Sequence, residues 1–288
     1  MTESILTQVL LPAAIALIML GMGLSLTVSD FTRLLRSPRP VVTGLVGQLA
    51  LLPIIAIGLA YSFGLSAEFA MGLFIVAVCP GGTMSNVISQ LCRANIALSV
   101  TLTAICTIIG IASTPLLIQL GYDHFLTGSA VQFSLLSASL GLLVLTLVPI
   151  TLGMLINRYK PAWATFAEPF FRKGSAGFMV IMIIAIMIQE RENLVESFSQ
   201  LFLVCLCLNL LTIFAGLGLA KWQKLTPRDA ITLGIEIGIQ NATLAILIAL
   251  TFLSQSALAL PAGVYGLTMY IGAGVLIYLS RKLGTHKA

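Results

Sequence analysis

Nine apolar runs, each long enough to cross a bilayer as a helix, occupy most of this chain. A crossing helix needs about 20 predominantly apolar residues, within a range of about 17–25. Runs of that kind are read at 5–26, 41–63, 68–94, 95–118, 130–156, 174–190, 198–220, 229–253 and 261–280. Composition closes the soluble alternative: charged residues are 9% of 288, against about 25% in soluble domains. The expected fold class is therefore an all-α polytopic membrane protein with nine transmembrane helices, forming one domain over 1–288, with the lipid bilayer as its main partner.

The gaps between the runs test this count. With nine spans, alternate gaps share a side. Arg33, Arg36, Arg39, Arg93, Arg158, Lys160, Arg172, Lys173, Lys221, Lys224, Arg228, Arg281, Lys282 and Lys287 fall on one side, and Arg191 alone on the other, which is 14 of the 15 basic residues. Merging or splitting one span would scramble that segregation. The positive-inside rule makes the basic side cytoplasmic, so the N-terminus is expected outside and the C-terminus inside, in a bacterial inner membrane. The net charge of +5 forms no single patch, so no nucleic acid is expected as a partner; no obligate protein partner is inferred either. Met1–Ser4 holds Glu3 and no basic residue, and no small-x-small site closes the first run, so that run is expected to remain. The five cysteines fall in or at the end of apolar runs and read as buried hydrophobes. His124 and His286 lie in surface segments, and no cluster has metal-ligand spacing.

Two runs cannot be ordinary helices. In the third, Pro80, Gly81 and Gly82 stand near the middle, followed at once by Thr83, Ser85 and Asn86. Proline removes a helical hydrogen bond and glycine is a poor helix former, so a broken helix with clustered polar groups is predicted. In the eighth, Gly234 and Gly238 loosen the backbone around Glu236, and Gln240 and Asn241 follow. Glu236 is the acidic residue that the span map places deep in the membrane, where a charge costs several kcal/mol unless it is paired, hydrated or faces a cavity. Spans two to four and seven to nine run in opposite directions, each unit with an interrupted helix in the middle. Inverted repeats with discontinuous helices point to the binding site of a secondary transporter. A half-helix that begins at mid-membrane presents unpaired N–H groups to an anion, and one that ends there presents carbonyls to a hard cation. Ser99 and Thr103 add two hydroxyls on one face of the fourth span, and Gln48 is a lone amide in the second.

Four stretches carry a resemblance: Gly21-Met-Gly-Leu-Ser-Leu26 with Asp30-Phe31, Cys79-Pro-Gly-Gly-Thr-Met-Ser-Asn86, Ala97-Leu-Ser-Val-Thr-Leu-Thr103, and Glu236-Ile-Gly-Ile-Gln-Asn241. Through them the chain resembles the bile acid:sodium symporter family over nearly its whole length. The resemblance implies a nine-span form lacking the first helix of the first repeat, with two broken helices that cross. It implies a core of helices within 41–118 and 198–280 and a panel of helices at 5–26, 130–156 and 174–190. It carries over two sodium sites, one from Ser85, Asn86, Ser99, Thr103 and Glu236, the other from Gln48, Glu236, Gln240 and the carbonyls of Ile237 and Ile239. Thr83, Met84 and Asn241 match positions facing the substrate, and Tyr270 stands where some relatives have a histidine beside it. The implied function is sodium-coupled symport of a small organic anion, such as a keto acid, pantoate or a bile-acid-like amphiphile, by alternating access. A proton-coupled carrier is the alternative, since Glu236 alone could relay protons. An intramembrane hydrolase would need a nucleophile with a base, and no histidine lies inside a span, so the chain is not expected to be an enzyme.

Overall fold

Capping residues, prolines and glycines divide the described residues, 11–126 and 135–282 of this computed structural model, into fourteen α-helices, with no strand among them. These are α1 (Leu11–Ser25), α2 (Val28–Arg36), α3 (Pro38–Val46), α4 (Leu52–Ser62), α5 (Ala67–Val78), α6 (Thr83–Leu91), α7 (Ile96–Phe125), α8 (Leu135–Leu142), α9 (Val148–Tyr159), α10 (Pro161–Gln189), α11 (Arg191–Trp222), α12 (Pro227–Gly238), α13 (Ala242–Leu247) and α14 (Ala259–Lys282). Wide π turns at Gly47–Leu51 and Leu143–Leu147 join α3 to α4 and α8 to α9, and a third at Ile248–Phe252 extends α13. Pro53 and Pro149 sit at the starts of α4 and α9. A proline ring crowds the carbonyl four residues back, and the widened turn before each one gives it room.

Among the described residues, six helices are long and apolar enough to cross a membrane: Pro38–Ser62, Ile96–Phe125, Ser139–Tyr159, Pro161–Gln189, Phe198–Trp222 and Ala259–Lys282. Shorter apolar helices, Leu11–Ser25, Ala67–Val78 and Ala242–Phe252, fall on the first, third and eighth runs. The starts of the expected spans at 5–26 and 130–156, and the residues Glu3, His286 and Lys287, lie partly or wholly outside the described residues. Large apolar side chains such as Leu120, Leu136, Phe166, Phe170 and Ile188 are exposed, which suits a lipid solvent.

Four boundaries differ most from the sequence reading, one of them the start of α11, at Arg191 rather than 198. The helix expected from 174 begins at Pro161, because its first turns are amphipathic and carry the Arg172–Glu168 ion pair at 3.3 Å, so hydropathy alone cut it short. Pro115 does not mark an end but sits inside α7, which runs on to Phe125. The segment after α1 folds into the separate short helix α2, started by Asp30, whose carboxylate accepts from the Thr27 N–H and hydroxyl, both at 2.7 Å.

Two parts of the fold repeat each other. Helices α5 and α12 are each 12 residues long and are capped by a hydroxyl, Ser66 accepting from Phe69 N and Thr226 from Asp229 N. In both, the chain leaves the preceding helix through a residue of positive φ, Gly64 at 58° and Lys224 at 54°. The turn hydrogen bonds correspond one for one: Leu65 N to Ala60 O and Ala70 N to Ser66 O, against Leu225 N to Ala220 O and Ala230 N to Thr226 O. Each of these helices then breaks, and the breaks meet in an antiparallel bridge between Gly81 and Gln240. Around them pack α4, α7, α11 and α14, while α1, α9 and α10 pack chiefly on one another.

Close helix approach is bought with small residues. A Cβ at Gly216 on α11 would stand 2.7 Å from Leu233 O and 2.9 Å from the Cα of Gly234 on α12, whereas one at Gly218 would meet nothing within 4 Å. Gly216→Ala should therefore push α11 off α12 and lower stability by about 1–3 kcal/mol. Gly218→Ala should be neutral or raise it by up to about 1 kcal/mol through helix propensity. Thermal unfolding of both variants in one detergent checks the opposite signs.

Candidate functional site

Interrupting two helices in an apolar layer exposes backbone polar groups that cost several kcal/mol each if unpaired. Their partners are side chains from neighbouring helices. At the end of α5, Val78 O accepts from Thr114 Oγ1 at 2.8 Å and Cys79 O from Gln48 Nε2 at 3.0 Å. At the end of α12, Gly238 O accepts from Asn209 Nδ2 at 2.6 Å and from Tyr265 OH at 2.7 Å. Across the crossing, Asn241 N donates to Pro80 O at 3.3 Å. Helix α6 restarts at Thr83 after Gly82, which offers no side-chain cap; Ser85 N donates to Gly82 O at 3.1 Å. Helix α13 restarts after Asn241, whose Oδ1 accepts from Leu244 N at 3.0 Å.

Beside this crossing five of the sequence-identified side chains converge. Glu236 on α12 is 4% exposed, and Ser85, Ser99 and Thr103 are fully buried. Glu236 Oε1 accepts from Ser99 Oγ at 2.5 Å, and Oε2 from Thr103 Oγ1 at 2.8 Å. Asn86 Oδ1 stands 2.9 Å from the same Ser99 hydroxyl, and Ser85 Oγ stands 3.3 Å from Thr103 Oγ1 while reaching Gly82 O at 2.9 Å. The side-chain partners found for Glu236 are neutral, and the ion pair among the described residues is elsewhere, at Arg172–Glu168. Proton arithmetic makes the cluster acceptor-rich. Ser99 has one hydroxyl proton for both Glu236 and Asn86 while accepting from Ser89 Oγ at 3.0 Å, and Thr103 has one for Glu236 and the Ser99 carbonyl at 3.0 Å. A hydroxyl donates once and accepts twice, so lone pairs outnumber donors here. Gly81 lets the carboxylate come this close to the bridge, since a Cβ there would lie 3.3 Å from Glu236 Oε2.

A second group of oxygens lies on the other side of the crossing. Gln48, 4% exposed, and Gln240, 2% exposed, form a reciprocal amide pair: Gln48 Nε2 donates to Gln240 Oε1 at 2.7 Å, and Gln240 Nε2 to Gln48 Oε1 at 3.1 Å. Gln240 Nε2 also reaches Ile237 O at 2.9 Å and Glu236 O at 3.2 Å. Ile239, buried in the break, has its carbonyl on the Gly81 side. Glu236 thus enters the first group through its carboxylate and the second through its backbone carbonyl. Gln48 reaches the crossing from the π turn Gly47–Leu51.

A small cavity of about 30 Å³ opens where the crossing faces α1 and α10. Thr83, Met84, Gln240 and Asn241 line it from the crossing, Ile18 and Met19 from α1, Ser175 and Met179 from α10, and Met269 from α14. Tyr270 is not in that lining; it is 42% exposed on α14, one residue past Met269. Sequence reasoning passed over Asn209, Tyr265 and Thr114, which hold the broken ends. Asn209 had a readable signal, an amide deep in the apolar run of α11; Tyr265 and Thr114 had none apart from the fold.

Comparison with known proteins places the chain among transporters. The model described as "Sodium Bile acid symporter family" matches residues 12–197. The "Uncharacterized sodium-dependent transporter YocS" of Bacillus subtilis (strain 168) is 33% identical over 278 residues, covering 95% of this chain and 84% of that protein. The rice "Probable sodium/metabolite cotransporter BASS2, chloroplastic" is 29% identical over 275 residues, 96% of this chain and 64% of its own length. The human "Sodium/bile acid cotransporter 4" is 27% identical over 241 residues, 82% of this chain and 54% of its own.

The double support of Gly238 O gives a test of the backbone accounting. Tyr265→Phe or Asn209→Leu each leaves that carbonyl one donor, and the double variant leaves none. Each single change should cost about 0.5–1.5 kcal/mol. The double variant should cost more than their sum by about 1 kcal/mol or more, as coupled partners do, measured by denaturant or thermal unfolding of purified protein.

Proposed function

The chain belongs to the sodium bile acid symporter family, whose members compared above are transporters rather than enzymes, and from this premise we propose that it is a sodium-coupled symporter of a small organic anion. The observation that carries the reading is the acceptor surplus around Glu236. A buried carboxylate met by two hydroxyl protons, with Asn86 Oδ1 and Ser85 Oγ turned to the same place, lacks one positive charge. A hard cation with oxygen ligands supplies it. We read Ser85, Asn86, Ser99, Thr103 and Glu236 as the first sodium site. Gln48, Gln240, Glu236 and the carbonyls of Ile237 and Ile239 are read as the second, their amide oxygens turning from each other to the ion. Sodium here is cargo and driving ion together.

The anion is proposed to sit in the cavity over the α6 N-terminus, against Thr83, Met84 and Asn241. No basic side chain is among its lining residues, so the carboxylate is met by N–H groups, hydroxyls and an amide at the positive end of a helix. At about 30 Å³ the cavity has room for little more than water, so a keto acid, pantoate or a bile-acid-like amphiphile would each enter only once the crossing and the α1–α10 face move apart; Tyr270, outside the lining, would likewise act on a cargo only after rearrangement. In the same reading the chain crosses a bacterial inner membrane nine times with its C-terminus cytoplasmic. Helices α1, α8–α9 and α10 form a panel against which the remaining core helices rock.

The test is sodium-dependent stabilisation of the purified protein, since a ligand that binds the native state raises its unfolding temperature. Sodium but not potassium should raise it in the wild type. Glu236→Gln, which keeps size and removes the charge, should abolish the response and the sodium dependence of anion uptake. A wild-type sodium response in Glu236→Gln would overturn the assignment.

A further inference from the structure

Helices α7 and α12, which bring Ser99 and Thr103 to Glu236, are joined a second time, one turn before the site. Asn95 is the N-cap of α7, its Oδ1 accepting from Leu98 N at 3.1 Å. The other end of that amide donates to Asp229 Oδ1 on α12 at 2.7 Å. The backbone N–H of Asn95 donates to Thr232 Oγ1 at 2.9 Å, and that hydroxyl lies 3.3 Å from the Asn95 carbonyl. Asp229 is itself fixed: its Oδ2 accepts from Thr226 Oγ1 at 2.8 Å and its N–H donates back to that hydroxyl at 3.2 Å. One residue therefore starts α7 and grips the first two turns of α12 at the same time. Asp229 is 8% exposed and Thr232 fully buried, so these bonds stand largely out of water.

The register of the two helices connects this grip to the oxygen cluster. Asn95, Ser99 and Thr103 fall at steps of four on one face of α7, and Asp229, Thr232 and Glu236 at steps of three and four on one face of α12. Four residues beyond Asn95 is Ser99, and four beyond Thr232 is Glu236, and this second pair meets at 2.5 Å. The helices run side by side in the same direction from the gripped turn, so equal steps arrive together. A slip of one residue would shift the site by about 1.5 Å and turn it by about 100°, enough to part Ser99 and Thr103 from the carboxylate.

We infer that Asn95, Asp229 and Thr232 are positioning residues for sodium: they set the axial and rotational register that holds Ser99 and Thr103 against Glu236. The inference rests on the reading of that cluster as a sodium site. The groups touch neither the ion nor the cargo. Loss of the grip should loosen the oxygen set and lower sodium affinity and sodium-over-lithium preference, with anion affinity recovering at saturating sodium.

The test uses the full chain in proteoliposomes, with sodium-dependent thermal stabilisation as an anion-independent readout. Asn95→Asp keeps a good N-cap but sets a second carboxylate against Asp229. It should raise the sodium concentration for half-maximal response about tenfold, the scale of lost outer-shell support at ion sites, and shrink the sodium-to-lithium ratio. Asn95→Asp with Asp229→Asn reverses the pair, restoring one donor facing one carboxylate, and should return both quantities to near the wild-type values. Thr232→Val, close in volume, gives a milder rise and keeps the question open to measurement if Asn95→Asp fails to fold. Unchanged sodium affinity in Asn95→Asp and Thr232→Val, or no recovery in the reversed pair, would overturn the inference. Ser99→Ala in the same assay separates the two levels: if it leaves the sodium response intact, the sodium reading of the cluster itself is what has failed.

Discussion

The carboxylate of Glu236 sets the terms for everything around it. Burying one charge in an apolar layer is tolerable only where hydrogen bonds and compensating charge surround it. Here the hydrogen bonds come from α7, through Ser99 and Thr103, and the approach is made possible by Gly81 in the facing break. Three separate elements must therefore meet at one point: the fourth apolar run, the interruption of the third, and the interruption of the eighth. The capped starts of α5, α7 and α12 and the small-residue contact between α11 and α12 are the means of bringing them there.

The interruptions are supported by a second tier of side chains. Thr114, Gln48, Asn209 and Tyr265 each give a hydrogen to a carbonyl that the broken helices leave without a partner. These residues come from helices flanking the crossing on different sides, so the break is enclosed rather than merely bent. An enclosed break can hold irregular backbone at depth without water, which is the condition for placing both helix starts and helix ends beside a small cavity.

Most of the chemistry was legible in the residues, and much of its support was not. Pro80-Gly81-Gly82 and Gly234…Gly238 announce interruptions, and Glu236 in an apolar run announces a site, because each violates what an ordinary spanning helix allows. The resemblance carried by Cys79–Asn86 and Glu236–Asn241 then supplied the oxygen sets that the structure brings into contact. What stayed hidden depends on where helices cross. Tyr265 reads as any aromatic in a membrane run until Gly238 O is found beside it. The run 95–118 reads as ending soon after Pro115, yet α7 continues to Phe125. The early start of α10 was hidden by its own amphipathicity, since charges at Glu168 and Arg172 paired along one face lower hydropathy without ending a helix.

The reciprocal pair of Gln48 and Gln240 has a consequence for how the crossing can rearrange. Each amide holds the other at both ends, and each Nε2 also reaches the broken backbone, Gln48 at Cys79 O and Gln240 at Ile237 O and Glu236 O, so turning one carbonyl away removes one acceptor and leaves the neighbour's N–H groups on those carbonyls. A half-opened arrangement therefore keeps its donors paired, and the two oxygens are free to turn one after the other. Gln240 stands in the same short break as the bridge to Gly81, and Gln48 on a separate helix entering through a π turn. The pair works as a ratchet of small steps: nitrogen ends anchored on the broken backbone, oxygen ends released singly, so the crossing passes from sealed to open without leaving a donor stranded.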